Sequence, residues 1–214
     1  MFSDVFFAAA MALAPGLVLG ALLLIVYWKT VEEYLPAFGD ALRSSQYVTD
    51  SGHVTGYYFD ADYFLADQRN VDAVTVFVTN VVRRNRGITA LAFIEKHFGP
   101  VGLLSMKEHL RYATGLPSTI VRLRKRILQQ AVKPPLPPEA RGGILVVSDV
   151  GTRGSTVLGA VRRLRSAGYA VHGALVIYDR REGASERLAQ EGIAFYSMDH
   201  VGSVHEEMVS APPE

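Results

Sequence analysis

The stretch ILVVSDVGTRGSTVLGAV, residues 144–161, decides the architecture of this chain. Four apolar residues of strand length run into Ser148 and Asp149. A loop of small and hydroxyl-bearing residues follows, and apolar side chains then recur at Val157, Ala160, Val161 and Leu164, the spacing of a helix. The strand is expected to end at Asp149, with the helix spanning 156–166. Between them Gly151, Thr152, Gly154, Ser155 and Thr156 let backbone N–H groups converge and add hydroxyl donors at a helix N-terminus, which is how a phosphate cradle is built. The Gly-Lys-Ser/Thr of a Walker loop is absent, as is the GxGxxG of a dinucleotide turn. A plain Gly-rich turn capped by Ser or Thr accounts for the composition equally well.

Working outward, strand and helix patterns alternate. Strands are expected at 88–94, 119–123, 170–177 and 193–198, and helices at 71–84, 103–113 and 185–190. The stretch 47–60 alternates around Gly52 and Gly56 and reads as a hairpin. Residues 29–46 read as an amphipathic connection, and KPPLPP at 133–138 as an extended, polyproline-like loop. The whole is an α/β fold: a mainly parallel sheet flanked by helices, with a small N-terminal β hood. Ligands of such a sheet bind beyond the carboxyl ends of its strands.

Residues 5–28, VFFAAAMALAPGLVLGALLLIVYW, carry no charge. As a helix they would extend about 36 Å, enough to cross a hydrocarbon core of about 30 Å. Phe2, Phe6 and Phe7 at one end and Tyr27 and Trp28 at the other sit at aromatic-belt positions, and Pro15-Gly16 implies a kink. A signal peptide would need a basic start and a shorter run. The division is thus a transmembrane anchor at 1–30 and a folded domain at 31–214. Lys29 and Arg43 follow the span and no basic residue precedes it, which places the domain in the cytoplasm. Across 214 residues, 22 Lys and Arg against 21 Asp and Glu leave no global field for nucleic acid. With no cysteine, disulfides and thiolate chemistry are excluded. Six histidines show no metal-ligand spacing, and no protein metal site is expected.

The run Ser148-Asp149-Val150-Gly151-Thr152-Arg153-Gly154-Ser155-Thr156 is similar to the ribose-phosphate loop of type I phosphoribosyltransferases. Residues 51–60, SGHVTGYYFD, resemble the N-terminal signature of the orotate phosphoribosyltransferase branch, and residues 179–183, DRREG, its base-contacting segment. The resemblance covers 47–198. It implies that Ser148 and Asp149 grip the ribose, that Thr152, Arg153, Gly154, Ser155 and Thr156 hold the 5′-phosphate, and that Tyr58, Phe59 and Arg180 hold the base. Lys96, in a pyrophosphate loop at 95–99, would reach phosphoribosyl diphosphate. Arg126, on a basic loop after Arg122, would act in catalysis with Asp149. Mg²⁺ as cofactor and a homodimer are also implied.

The departures from that pattern concentrate on the leaving-group side. Asp50 stands where the branch has Lys, and Leu123 and Leu128 stand at basic or His positions of the mobile loop. Elsewhere Ser148 replaces one carboxylate of the acidic ribose clamp, Arg153 stands in the phosphate loop where a Thr or Ala is usual and either strengthens or blocks anion binding, and Glu95 opens the pyrophosphate loop. Losing one preorganised donor to a leaving group costs about 10²–10³ in rate. Three readings therefore stand: a membrane-anchored transferase with impaired catalysis, a non-catalytic subunit of a membrane-protein complex, and a nucleotide-sensing regulator.

Overall fold

The computed structural model describes residues 38–48, 54–95, 101–123 and 132–200. All lie in one unit, Ala37–Glu214. The apolar span at 5–28 lies outside the described residues, and among these no helix is long and apolar enough to cross a membrane.

A short helix α1 (Phe38–Ala41) leads into an antiparallel pair, β1 (Leu42–Val48) and β2 (Val54–Phe59). This is the expected hairpin, but its first strand starts five residues before the expected 47, inside the segment read as an amphipathic connection. Polar LRSSQYV carries little hydrophobic signal, and the partner strand supplies its ladder. Two helices follow, α2 (Ala61–Leu65) and α3 (Gln68–Arg84), then β3 (Ala90–Glu95), α4 (Val101–Thr114), β4 (Ser118–Arg122) and β5 (Val132–Lys133). The remainder is β6 (Ile144–Gly151), α5 (Ser155–Ser166), β7 (Val171–Asp179), α6 (Ala184–Gln190) and β8 (Ala194–Ser197).

The main sheet runs β5-β4-β3-β6-β7-β8, parallel except for β5. Residues 133–138 are not simply extended. Val132 and Lys133 add an edge strand to β4, Leu136 is buried, and a 3₁₀ turn begins at Pro138. Strand β6 also outruns its apolar stretch. It continues through Ser148 and Asp149 to Gly151 because β7 offers ladder partners as far as Asp179.

Alternation along the strands sorts the core into two layers. Leu91, Phe93, Leu145, Val147, Leu175 and Ile177 meet α3 and α4 through Val74, Val78, Leu103, Met106 and Leu110. Ala90, Ala92, Ile94, Ile144, Val146 and Ala174 meet α5 and α6 through Val157, Val161, Leu164 and Leu188. The hood is joined to the first layer by aromatic contacts: Phe59 stacks on Tyr178 of β7 at 4.9 Å, and Phe38 on Phe64 at 5.0 Å.

Asp67 caps α3, accepting from the Arg69 backbone N–H at 2.9 Å. Its hydrogen bonds from the Arg69 side chain and backbone hold the carboxyl below its ordinary pKa. A carboxyl depressed in the folded state stabilises fully above its unfolded pKa of about 3.9 and loses that effect as pH falls below it. Asp67→Asn is therefore expected to flatten the fall in urea midpoint between about pH 5 and pH 3. Phe93, fully buried at the sheet centre, sets the scale for the core. Phe93→Ala should cost about 3–5 kcal/mol in urea unfolding. Tyr112→Ala, at a side chain 91% exposed, should stay within about 0.5 kcal/mol.

Candidate functional site

The ladder between β3 and β6 ends at Phe93 and Val147. Beyond that rung β3 continues with β4 to the pair Glu95 and Arg122, while β6 continues with β7 to Gly151 and Asp179. The two central strands thus part company at their carboxyl ends. Helix α4 returns on one face and α5 on the other, so the winding reverses at this same gap. A topological switch point of this kind opens a crevice outside the strand ends, the ligand position of open α/β sheets.

On one bank, Ser148 Oγ donates to Asp149 Oδ1 at 3.1 Å, and both residues are buried. Contrary to the expectation, Asp149 lies within its strand, not at its end. Gly151 is hemmed in: a Cβ there would lie 3.2 Å from both Asp179 Oδ1 and Phe195 Cζ. Only Thr152, Arg153 and Gly154 form the loop, since α5 already begins at Ser155. Gly154 starts the helix at φ 70°, a left-handed conformation that disfavours any residue with a Cβ. No side chain caps this helix. The turn capped by Ser or Thr is therefore not what forms, and the first-turn N–H groups keep their capacity for an anion. Thr152 and Thr156 are half-buried, and Arg153 and Ser155 are exposed.

On the other bank Glu95 and Arg122, neighbours on β3 and β4, form an ion pair. The Glu95 charge, unfavourable beside a diphosphate, is thus met from within the protein. Arg163 of α5 donates to the Leu123 carbonyl and holds the chain where it leaves β4. Lys96 and Arg126 lie outside the described residues, as do Asp50 and His53.

At the third strand end the Arg180 N–H donates to Gly151 O at 2.8 Å, and its buried guanidinium pairs with Glu182 at 2.7 Å. The Asp179 N–H donates to Asp199 Oδ1, and Arg181 N–H to Asp179 Oδ1, each at 3.0 Å. Asp199 also accepts from Ser197. These carboxylates hold the turn after β7, a role without a sequence signal. Phe59 is 5% exposed and packs against Phe64 and Tyr178 in the core, while its neighbour Tyr58 is half-buried. The structure thus gathers Ser148, Asp149, Thr152–Thr156 and Arg180 around one crevice and sets Phe59 behind it. It adds Arg187, unsuspected from sequence, whose Nη1 donates to Arg153 O at 3.2 Å and to Ser155 Oγ at 3.0 Å. Among the described residues no three His, Cys, Asp or Glu side chains cluster as a metal cage.

No protein-family model matches the chain. Individual relatives do. An orotate phosphoribosyltransferase of Methanopyrus kandleri is 30% identical over 159 residues, 74% of this chain and 81% of that protein. One of Pyrococcus furiosus is 26% identical over 74% of this chain and 85% of its own length. The crystal structure of orotate phosphoribosyltransferase from Aeropyrum pernix superimposes with a TM-score of 0.60 at 26% identity, covering 78% of this chain and 93% of that one. On the identity and coverage of these relatives, with the shared fold, the chain belongs to the orotate phosphoribosyltransferase family.

Proposed function

We propose that this chain transfers the 5-phosphoribosyl group of phosphoribosyl diphosphate to a ring nitrogen of orotate. The ribose C1–oxygen bond breaks, a C1–nitrogen bond forms as that nitrogen gives up its proton to solvent or the leaving group, and pyrophosphate leaves. The observation that carries this reading is the pairing, on one lip of the crevice, of the Ser148–Asp149 couple with the uncapped start of α5. Thr152 to Thr156 would hold the 5′-phosphate by first-turn N–H groups and hydroxyls. Asp149, polarised by the Ser148 hydroxyl, would hold the ribose and offset positive charge developing at its C1. Tyr58 and Arg180 would meet the base, with Phe59 supporting Tyr58 from the core. For Arg180 this means exchanging Glu182 for the orotate carboxylate. Lys96 and Arg126 would face the leaving group.

The donor set fits a Mg²⁺ that arrives on substrate oxygens, with one hard carboxylate at Asp149 and no carboxylate–histidine cage among the described residues. When bound, it would neutralise charge on the departing diphosphate. Turnover is set low in this reading. Ser148 supplies a hydroxyl where the family has a second carboxylate, and the Arg122 guanidinium is engaged by Glu95. The proposal extends to a membrane anchor at 5–28, a cytoplasmic domain and a homodimer.

Full-length protein in detergent, given orotate, phosphoribosyl diphosphate and Mg²⁺, should release pyrophosphate at well below about 10 s⁻¹. Asp149→Asn should reduce this by a further ~10²-fold. Binding of phosphoribosyl diphosphate with no turnover on any pyrimidine base would replace the transferase by a binding protein. The anchor has its own test: the full chain should sediment with membranes and the fragment 37–214 should not, and equal partitioning would remove it.

A further inference from the structure

Helix α6 packs its first turn directly on the phosphate loop. A Cβ on Gly154 would stand 3.5 Å from both the Cα and the carbonyl oxygen of Ala184, and Leu188 lies just behind. This places Arg187 above the loop, where one guanidinium nitrogen donates to the Arg153 carbonyl and to the Ser155 hydroxyl oxygen. Two consequences follow from the donor inventory. A guanidinium has no acceptor, so Ser155 Oγ must be the acceptor in that bond, and its own proton is directed away. That proton meets no acceptor among the described residues. Arg187 and Arg153 also meet no carboxylate among them, although Arg162 and Arg165 on the neighbouring helix surface are both paired with Glu191. One guanidinium belonging to the three-residue loop and one set above it, neither ion-paired among the described residues, therefore stand at a helix N-terminus.

We infer that Arg187 is a positioning residue for the 5′-phosphate: it fixes the Arg153 carbonyl and aims the Ser155 hydroxyl, and its charge makes the loop selective for a dianionic phosphate. The inference rests on the transferase reading, in which this loop holds the phosphoribosyl group. Arg187 comes from a different strand–helix unit than the loop it serves. It acts as a brace across β6 and β7 and is not part of the loop motif.

The test is calorimetric and kinetic, on the full chain. Arg187→Ala should raise the Kd for ribose 5-phosphate about tenfold, the size of one charge-assisted hydrogen bond. The KM for phosphoribosyl diphosphate should rise with it, with kcat and the Kd for orotate little changed. Arg187→Lys, which keeps the charge but not the two-acceptor geometry, should fall between. Arg162→Ala removes another exposed positive charge and should leave all four quantities in place. If Arg187→Ala binds ribose 5-phosphate as tightly as the wild type, the role assigned to Arg187 is wrong and the transferase reading stands. An equal loss for orotate would make the residue a general structural tie and would likewise overturn the inference. If the wild type binds neither ribose 5-phosphate nor phosphoribosyl diphosphate, the transferase reading falls and this inference with it.

Discussion

The parting of β3 from β6 after Phe93 and Val147 governs everything at the functional end of this protein. Each strand stays hydrogen-bonded to its outer neighbour for two to four residues more, so no backbone group is stranded when the central ladder stops. The divergence is imposed from below by packing. Helix α4 is drawn to one face by Leu91 and Phe93, and α5 to the other by Ile144 and Val146. Because β6 remains paired out to Gly151, its polar residues Ser148 and Asp149 are carried on a rigid strand. A carboxylate held that way loses little freedom on meeting a ligand.

Charge is distributed unevenly around the opening. The loop side has Arg153, Arg187 and the start of α5, all without a carboxylate partner among the described residues. The β3–β4 side has an ion pair, Glu95 with Arg122, whose field largely cancels at a distance. On the proposed reading, a phosphorylated sugar would be drawn in by its monophosphate end. Of the sequence departures, Asp50 and Leu123 stand at positions expected to be basic, whereas Ser148 lies on the loop side beside Asp149 and supplies a hydroxyl there.

Much of this was legible in the chain itself. The strand–loop–helix at 144–161 and the alternation after it depend on local periodicity, which survives folding unchanged. The strand β1 was hidden because LRSSQYV has no apolar alternation, and its existence depends on a partner strand. The extension of β6 past Val147 was hidden for the same reason, since Ser148 and Asp149 read as loop until β7 is set beside them. At the candidate site, the loop 152–154 and Arg180 were readable as a motif. The brace from Arg187, the Glu95–Arg122 pair and the burial of Phe59 were not, because each joins residues far apart in sequence with no fixed spacing. Phe59 shows what the motif leaves out: its ring is buried and packs on Phe64 and Tyr178.

Arg163 gives α5 a second use. The helix starts at the phosphate loop with Ser155, and eight residues on, Arg163 grips the carbonyl of Leu123 at the exit of β4. Eight residues of α-helix measure about 12 Å. Since Val157, Val161 and Leu164 pin the helix to the sheet, that length cannot stretch or slide. The helix is in effect a ruler. It fixes how far the 152–154 loop stands from the point where the chain leaves β4, and on the proposed reading that spacing bounds the ligand lengths the two ends could hold at once.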